Sequence, residues 1–539
     1  MKKLLEIKNI VIEGQTSDQW VPIVKGIDLT LKKGEVLGLI GESGAGKSTL
    51  GLASMAYTRP GCRIASGSIV FDGQELFDGS ASLLRSIRGA RIAYVAQSAA
   101  ASFNPAHRLI NQFAEGPVQH NLMNFSSAEE KAVTIYDQLL LPDPEHIGYR
   151  FPHQVSGGQL QRAMVAMAMS CQPDIIVFDE PTTALDVTTQ IEVLAAIKDI
   201  TRKYNTAAIY ITHDLAVVAQ LADRIMVLRD GQLVEENDAR EILAAPKEEY
   251  TRELLSVRSF STKGNKDKSG NKVILDIKDV TASYTGTEEV LSDINLQIRK
   301  GQTVALVGES GSGKSTLARV ITGLLPQSKG SVLFKNKPLA PKLKPRSREE
   351  LQRLQMIYQM PDTALNPRHT IRTIIGRPLQ FYLKMNGRQR EQRILELLEQ
   401  IELPADYIDR YPAELSGGEK QRICIARALA AEPDLIICDE VTSALDQLVA
   451  EGILKLLLNL QQKLQVSYLF ITHDLTTVKA IADEIVVMLN GRIIEQGPKK
   501  EILKPPHHEY TDLLLSSVPK MDPDWLDGLL EKRILAAAA

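Results

Sequence analysis

The sequence predicts an α/β fold built twice, as two mostly parallel sheets each covered by helices on both faces and joined in one chain of 539 residues. Three observations predict it. The run Gly41-Glu42-Ser43-Gly44-Ala45-Gly46-Lys47-Ser48-Thr49 returns as Gly308-Glu309-Ser310-Gly311-Ser312-Gly313-Lys314-Ser315-Thr316, so the chain repeats itself. Later landmarks keep one offset: Ser156 and Ser416, Asp179 and Asp439, and His213 and His473 each stand 260 positions apart. The glycine runs are 267 apart, which places small insertions between them and the later landmarks, in surface loops that tolerate them. Within each copy, short continuous apolar runs alternate with helical spacing. Residues 35–40 and 174–178 read as buried strands, and 47–56 and 159–170 read as helices. Near-continuous apolar strands belong to parallel sheets covered on both faces.

Composition agrees with several soluble cores and narrows the partners. With 44% hydrophobic and 24% charged residues the chain has the apolar material of more than one globular domain. A net charge of -3 provides no global field for nucleic acid or an anionic bilayer. Cys62, Cys171, Cys424 and Cys438 are far apart and form no metal-ligand spacing, so they read as reduced, buried thiols. No run approaches the roughly 18 apolar residues that span a bilayer, and the first residues lack an apolar core with a cleavage site, so the chain is expected on the cytosolic side of any membrane it serves.

The domain plan follows from the repeat. Residues 1–258 make the first copy, 259–272 a Ser/Gly/Lys/Asn linker too poor in apolar residues to pack, 273–519 the second copy, and 520–539 a C-terminal tail. Helical spacing at 126–141 and 388–403 predicts an inserted helical subdomain in each copy, about 98–158 and 360–418.

The glycine runs have the GxxxxGK[ST] form of a P-loop. Placed between a strand and a helix, such glycines let backbone N–H groups surround phosphate, and the helix N-terminus adds positive potential. Lys47 and Lys314 are assigned to the β/γ-phosphates of ATP, and Ser48 and Ser315 to Mg²⁺. The apolar strands ending Phe178-Asp179-Glu180 and Cys438-Asp439-Glu440 put paired carboxylates at strand carboxyl ends, where open α/β sheets bind ligands. Asp179 and Asp439 suit the magnesium shell, and Glu180 and Glu440 are placed to polarise an attacking water. Ser156-Gly157-Gly158 and Ser416-Gly417-Gly418 stand directly before a helical pattern, a second anion-binding N-terminus in each copy.

With Val155-Ser156-Gly157-Gly158-Gln159 and Leu415-Ser416-Gly417-Gly418-Glu419 beside the P-loops and the Asp-Glu strands, nearly the whole chain resembles the ATP-binding-cassette ATPases, two P-loop NTPase domains in tandem. The resemblance implies that each ATP lies between the P-loop of one copy and the Ser-Gly-Gly element of the other. It also implies that Gln97 and Gln359 sense magnesium, water and the partner subunit, that Asp186 and Asp446 couple the sites, and that His213 and His473 contact the γ-phosphate. Tyr284 matches the family's adenine-stacking aromatic. Gly14 holds that register in the first copy, which leaves Trp20 either a substitute or a packing residue. Val441 departs from the family's proline, present as Pro181 in the first copy.

Further residues narrow the resemblance to the oligopeptide/dipeptide/nickel importer ATPases, with two ATPase chains fused. These are Phe103-Asn104-Pro105 and Leu365-Asn366-Pro367, the entries Phe151-Pro152 and Tyr411-Pro412, and the tails Glu249-Tyr250-Thr251 and Glu509-Tyr510-Thr511. That resemblance implies two integral-membrane permease subunits and an extracytoplasmic solute-binding protein as partners, no nucleic acid, and a peripheral place on the cytoplasmic face of the membrane. The alternative is a soluble tandem-cassette mechanoenzyme acting on ribosomes or nucleic acid. It would call for a long charged helical linker, which 259–272 does not supply.

Overall fold

A computed structural model describes residues 3–16, 19–183, 185–256, 270–443 and 445–538. Most of the expected linker, 259–269, lies outside the described residues. The chain divides into two compact units, Met1–Val257 with Pro519–Ala539, and Arg258–Val518.

Each unit contains a four-stranded antiparallel sheet and a six-stranded, mostly parallel one. In the first, the antiparallel order is Trp20–Lys32, Lys3–Gln15, Cys62–Phe71, Gln74–Glu75. The larger sheet runs Gln232–Asp238, Arg224–Arg229, Val36–Ile40, Ala207–Ile211, Ile175–Asp179, Ile92–Val95, and all its pairings are parallel except that of the edge strand Gln232–Asp238. The second unit repeats both. Its antiparallel order is Glu289–Arg299, Val273–Ser283, Gln327–Phe334, Lys337–Pro338, and its larger sheet runs Leu354–Ile357, Leu435–Asp439, Ser467–Ile471, Thr303–Val307, Glu484–Leu489, Arg492–Pro498.

The strand Leu435–Asp439 shows why these strands read as unbroken apolar runs. Successive side chains point to opposite faces. Leu435 and Ile437 join a core with Leu275 and Ile294 of the antiparallel sheet, while Ile436 and Cys438 join another with the helices around Ile394, Leu397 and Ile423. Both faces are dry, so no polar alternation survives. The corresponding sheet of the first unit gathers at one edge the ends of the parallel strands Val36–Ile40, Ile92–Val95, Ile175–Asp179 and Ala207–Ile211, and hence the segments that follow them.

Helix limits differ from the sequence-based ones by a few residues. The helix after the first glycine run is Lys47–Ala53, and that after the Ser-Gly-Gly element is Gly157–Met169. The insert helices are Phe125–Gln138 and Gly387–Gln400, started by Asn124 and Asn386, whose side chains accept from Ser127 and Gln389 N–H. They stop before Leu140 and Glu402, both left-handed at φ 54° and 58°. All four cysteines are free thiols, Cys424 and Cys438 buried, but Cys62 and Cys171 only half-buried, which corrects the expectation of four buried thiols.

The C-terminal segment folds onto the first unit rather than the second cassette it follows. Leu526 is fully buried there, and its N–H donates to Gln220 Oε1 at 3.0 Å. Gln220 Nε2 in turn donates to Lys520 O at 2.6 Å and Asp522 O at 3.0 Å. Asp527 lies 2.8 Å from the ammonium of the largely buried Lys198.

Candidate nucleotide sites

Each P-loop is built by glycines at the positions where the chain must turn into a helix. Gly46 and Gly313 cap the helices Lys47–Ala53 and Lys314–Thr322 at φ 89° and 101°, left-handed values that a side chain would strain. The ammonium of Lys47 donates to Gly41 O at 2.8 Å and Glu42 O at 2.7 Å, and Lys314 repeats this with Gly308 O and Glu309 O at the same distances. Both loops are held from outside by a tyrosine the sequence reading valued only as a marker. Tyr250 Oη accepts from Glu42 N–H at 3.2 Å, and Tyr510 Oη from Glu309 N–H at 2.8 Å. Their recurrence in both copies was the available signal.

The first helical turn and the end of the Asp-Glu strand meet. Ser48 Oγ donates to Asp179 Oδ1 at 2.7 Å, and Ser315 Oγ to Asp439 Oδ1 at 3.1 Å. A hydroxyl and a carboxylate side by side are hard oxygen donors, the set that fits Mg²⁺ at a P-loop. Burial raises the carboxyl of Asp439, and the hydrogen bond from Ser315, with the charges of Lys314 and Arg319, offsets this only in part.

Glu180 and Glu440 leave the sheet by a backbone kink. Both are left-handed, at φ 49° and 50°, and are held there by N–H bonds to Ile211 O and Ile471 O, each 2.9 Å. Such strain persists only where surroundings over-determine it. The kink brings three predicted residues together. Gln97 Nε2 donates to Glu180 Oε2 at 3.0 Å, and His213 Nδ1 lies 3.1 Å from Glu180 Oε1. Gln359 and His473 stand at 2.6 and 3.4 Å from Glu440 in the second unit. Burial alone would raise the Glu180 carboxyl, yet His213, with Thr183 and Lys47, holds it below the usual glutamate range. Burial likewise opposes charge on His213, but Glu180 and Asp214 outweigh it and raise the imidazole. Glu440 and His473 shift in the same directions for the same reasons.

The Ser-Gly-Gly elements are capped helix starts. Ser156 accepts from Gln159 N–H while Gln159 returns a bond to Ser156 N–H, and Ser416 with Glu419 does the same. Of the two glycines, Gly157 is open to space within 4 Å, whereas a Cβ on Gly158 would stand 2.2 Å from Thr189 Cγ2. Asp186 caps the helix Val187–Tyr204 through Thr189 N–H, and Asp446 caps Gln447–Leu464 through Val449 N–H. Their neighbours Ala184 and Ala444 lie outside the described residues. Val441, at the place of Pro181, is buried in the second unit's helical core.

Tyr284 is half exposed, with its hydroxyl 3.2 Å from Thr316 Oγ1 and accepting from Arg319 at 3.1 Å. Trp20 is otherwise engaged. It pairs with Gln15 across the antiparallel sheet, and the Arg63 guanidinium covers its ring at 4.3 Å, a cation–π contact that makes it a packing residue in this structure.

Family models match more than half of the chain. The ABC transporter model matches residues 24–183 and 291–443, and the model of the oligopeptide/dipeptide transporter C-terminal region matches 494–536. The chain belongs to the ABC transporter family, and it is an ATP-binding ATPase coupled to transport. It is 35% identical to the glutathione import ATP-binding protein GsiA of Salmonella choleraesuis (strain SC-B67), over 97% of this chain and 90% of that one. It is 34% identical, over the same shares, to the protein of that name in Pectobacterium atrosepticum. The solved structure of cbiO1 from Clostridium perfringens, part of the ABC transporter complex cbiONQ, matches at 30% identity with a TM-score of 0.39, over 43% of this chain and 91% of its own.

Proposed function

We propose that this chain energises a membrane importer for peptide-like solutes, with short peptides and glutathione as the cargo class. One observation carries the reading: the set of Lys, Ser, Asp, Glu, Gln and His is complete and in register in both units. The C-terminal family match and the import relatives support the cargo class and weigh against ribosomes or nucleic acid. Two integral-membrane permeases and an extracytoplasmic solute-binding protein are the partners, with the chain peripheral on the cytoplasmic face. No helix among the described residues is long and apolar enough to cross a membrane.

In this reading Lys47 and Lys314, with the P-loop N–H groups from Gly41 to Thr49 and Gly308 to Thr316, neutralise the β/γ-phosphates. Ser48 with Asp179, and Ser315 with Asp439, hold Mg²⁺, which when bound offsets phosphate charge. Glu180 and Glu440 orient and polarise the attacking water, steadied by Gln97, His213, Gln359 and His473. The helix starts Ser156–Gly158 and Ser416–Gly418, where Gly157 and Gly417 are exposed, offer further N–H donors to phosphate. Tyr284 stacks on adenine at the second P-loop.

Uptake by proteoliposomes that contain the chain, its permeases and the loaded binding protein tests the reading. ATP-driven uptake of a short peptide or glutathione is expected. Glu180→Gln with Glu440→Gln is expected to keep ATP binding while turnover falls by about 10²- to 10⁴-fold. ATPase stimulated by ribosomes or DNA, and not by loaded binding protein, overturns it.

A further inference from the structure

The two Asp-Glu strands are each five residues long and pair alike with their neighbours, yet their aspartates are held differently. Tyr94 pairs with Val177 on the neighbouring strand, two residues before Asp179, and Met356 pairs with Ile437, two residues before Asp439. The register makes Tyr94 and Met356 equivalent. Tyr94 Oη donates to Asp179 Oδ2 at 2.5 Å, while Ser48 takes Oδ1. Asp179 is thus pinned through both oxygens, and rotation about its last torsion breaks a hydrogen bond. A thioether at Met356 has no proton to give, and among the described residues the one side-chain hydrogen bond to Asp439 is the longer one from Ser315, at 3.1 Å.

Other neighbours do not supply the same restraint. Arg59 approaches Asp179 Oδ2 only to 3.9 Å with a side chain 62% exposed, too long and too solvated to fix a torsion. Tyr94 is half-buried against the site.

We propose that Tyr94 is a positioning residue of the first magnesium site, clamping Asp179 so that Oδ1 stays turned to Ser48 and the metal, and that the second site lacks this clamp. The inference rests on the assignment of Asp179 to Mg²⁺ made above. Its consequence is inequality: two sites with the same motif residues differ in divalent-cation affinity, the first being tighter.

The test uses the full chain carrying Lys314→Ala, which confines nucleotide to the first site, with Mn²⁺ as the probe counted by electron paramagnetic resonance at saturating non-hydrolysable ATP analogue. Tyr94→Phe keeps the ring and removes only the donor. It is expected to weaken Mn²⁺ binding by about three- to tenfold, within the net range of one ordinary intramolecular hydrogen bond, and to leave metal-free nucleotide affinity in EDTA unchanged. In the mirror chain carrying Lys47→Ala, Met356→Leu is expected to change neither quantity. If Asp179→Asn abolishes Mn²⁺ binding while Tyr94→Phe matches its parent, the clamp is wrong and the metal assignment stands. If Asp179→Asn leaves Mn²⁺ binding intact, the metal assignment fails and the clamp with it. A Tyr94→Phe chain that loses EDTA nucleotide affinity as much as Mn²⁺ affinity reduces Tyr94 to a packing role and also overturns the proposal.

Discussion

Gly157 and Gly158 are adjacent, identical in sequence terms and opposite in structural cost, so a methyl group placed on each separates packing from chemistry. A Cβ on Gly158 falls 2.2 Å from Thr189 Cγ2 and 3.5 Å from its Cβ. Thr189 cannot swing aside freely, because its hydroxyl donates to Asp186 Oδ2 at 3.2 Å and its χ1 is restricted by β-branching in a helix. Overpacking of this kind costs about 1–3 kcal/mol. Replacing a helical glycine by alanine returns about 0.5–1 kcal/mol. Gly158→Ala is therefore expected to destabilise by about 1–2 kcal/mol, and Gly157→Ala, with nothing within 4 Å, to stabilise by about 0.5–1 kcal/mol. For a unit of this size the two variants should part by several degrees in Tm, at about 2–4 °C per kcal/mol. Scanning calorimetry on the full chain reads the difference. Thr189→Ser removes the offending methyl and keeps the bond to Asp186, so it should restore Gly158→Ala most of the way. On the role proposed for this helix start, activity should fall in Gly157→Ala, since its methyl would occupy the space in which the helix N-terminus would meet phosphate. Equal Tm for the two alanine variants, or no rescue by Thr189→Ser, refutes the close-approach argument.

The His213–Glu180 contact predicts a pH window. The imidazole is raised above 6.5, so its contribution is complete below that unfolded value and is lost as pH rises through the folded one. The carboxyl is lowered below 4.5, so its contribution is complete above that value and is lost as pH falls through the folded one. The pair is therefore firmest between those unfolded values and fades on the alkaline side; an NMR titration of His213 should show a midpoint above 6.5 that drops in Glu180→Gln, and an unmoved midpoint contradicts the pairing. At the C-terminal segment, Leu526→Ala is expected to forfeit about 2–5 kcal/mol of burial, enough to release the segment to limited proteolysis. Arg240→Ala breaks only a solvent-exposed ion pair with Asp524 and should leave the segment protected; equal protection in both variants would mean that Leu526 does not anchor it.

The P-loops, the Asp-Glu strand ends, the glutamines and the histidines were legible because each is a short motif whose backbone context, strand then turn then helix, is itself written in local apolar patterning. Repetition supplied the rest, by pairing His213 with His473 and so lifting a lone strand-end histidine above an ordinary core residue. Trp20 shows the limit. Its proximity to the first P-loop in sequence said nothing of Arg63, which reaches its ring from the next strand but one across the sheet.

What the sequence by itself determined is the duplicated α/β fold and the identity of the residues at the carboxyl ends of the strands, because motif spacing and apolar periodicity are local properties of a chain. Only the tertiary structure decided which side chains meet. Tyr94 reaches Asp179 across 85 positions, Tyr250 reaches Glu42 across 208, and Gln220 takes up the C-terminal segment across 300. Strand order and docking bring such groups together, and neither depends on the spacing of the residues that touch. The left-handed kink at Glu180 belongs to the same class, since it is held by Ile211 on the adjacent strand and not by anything in its own neighbourhood of the chain.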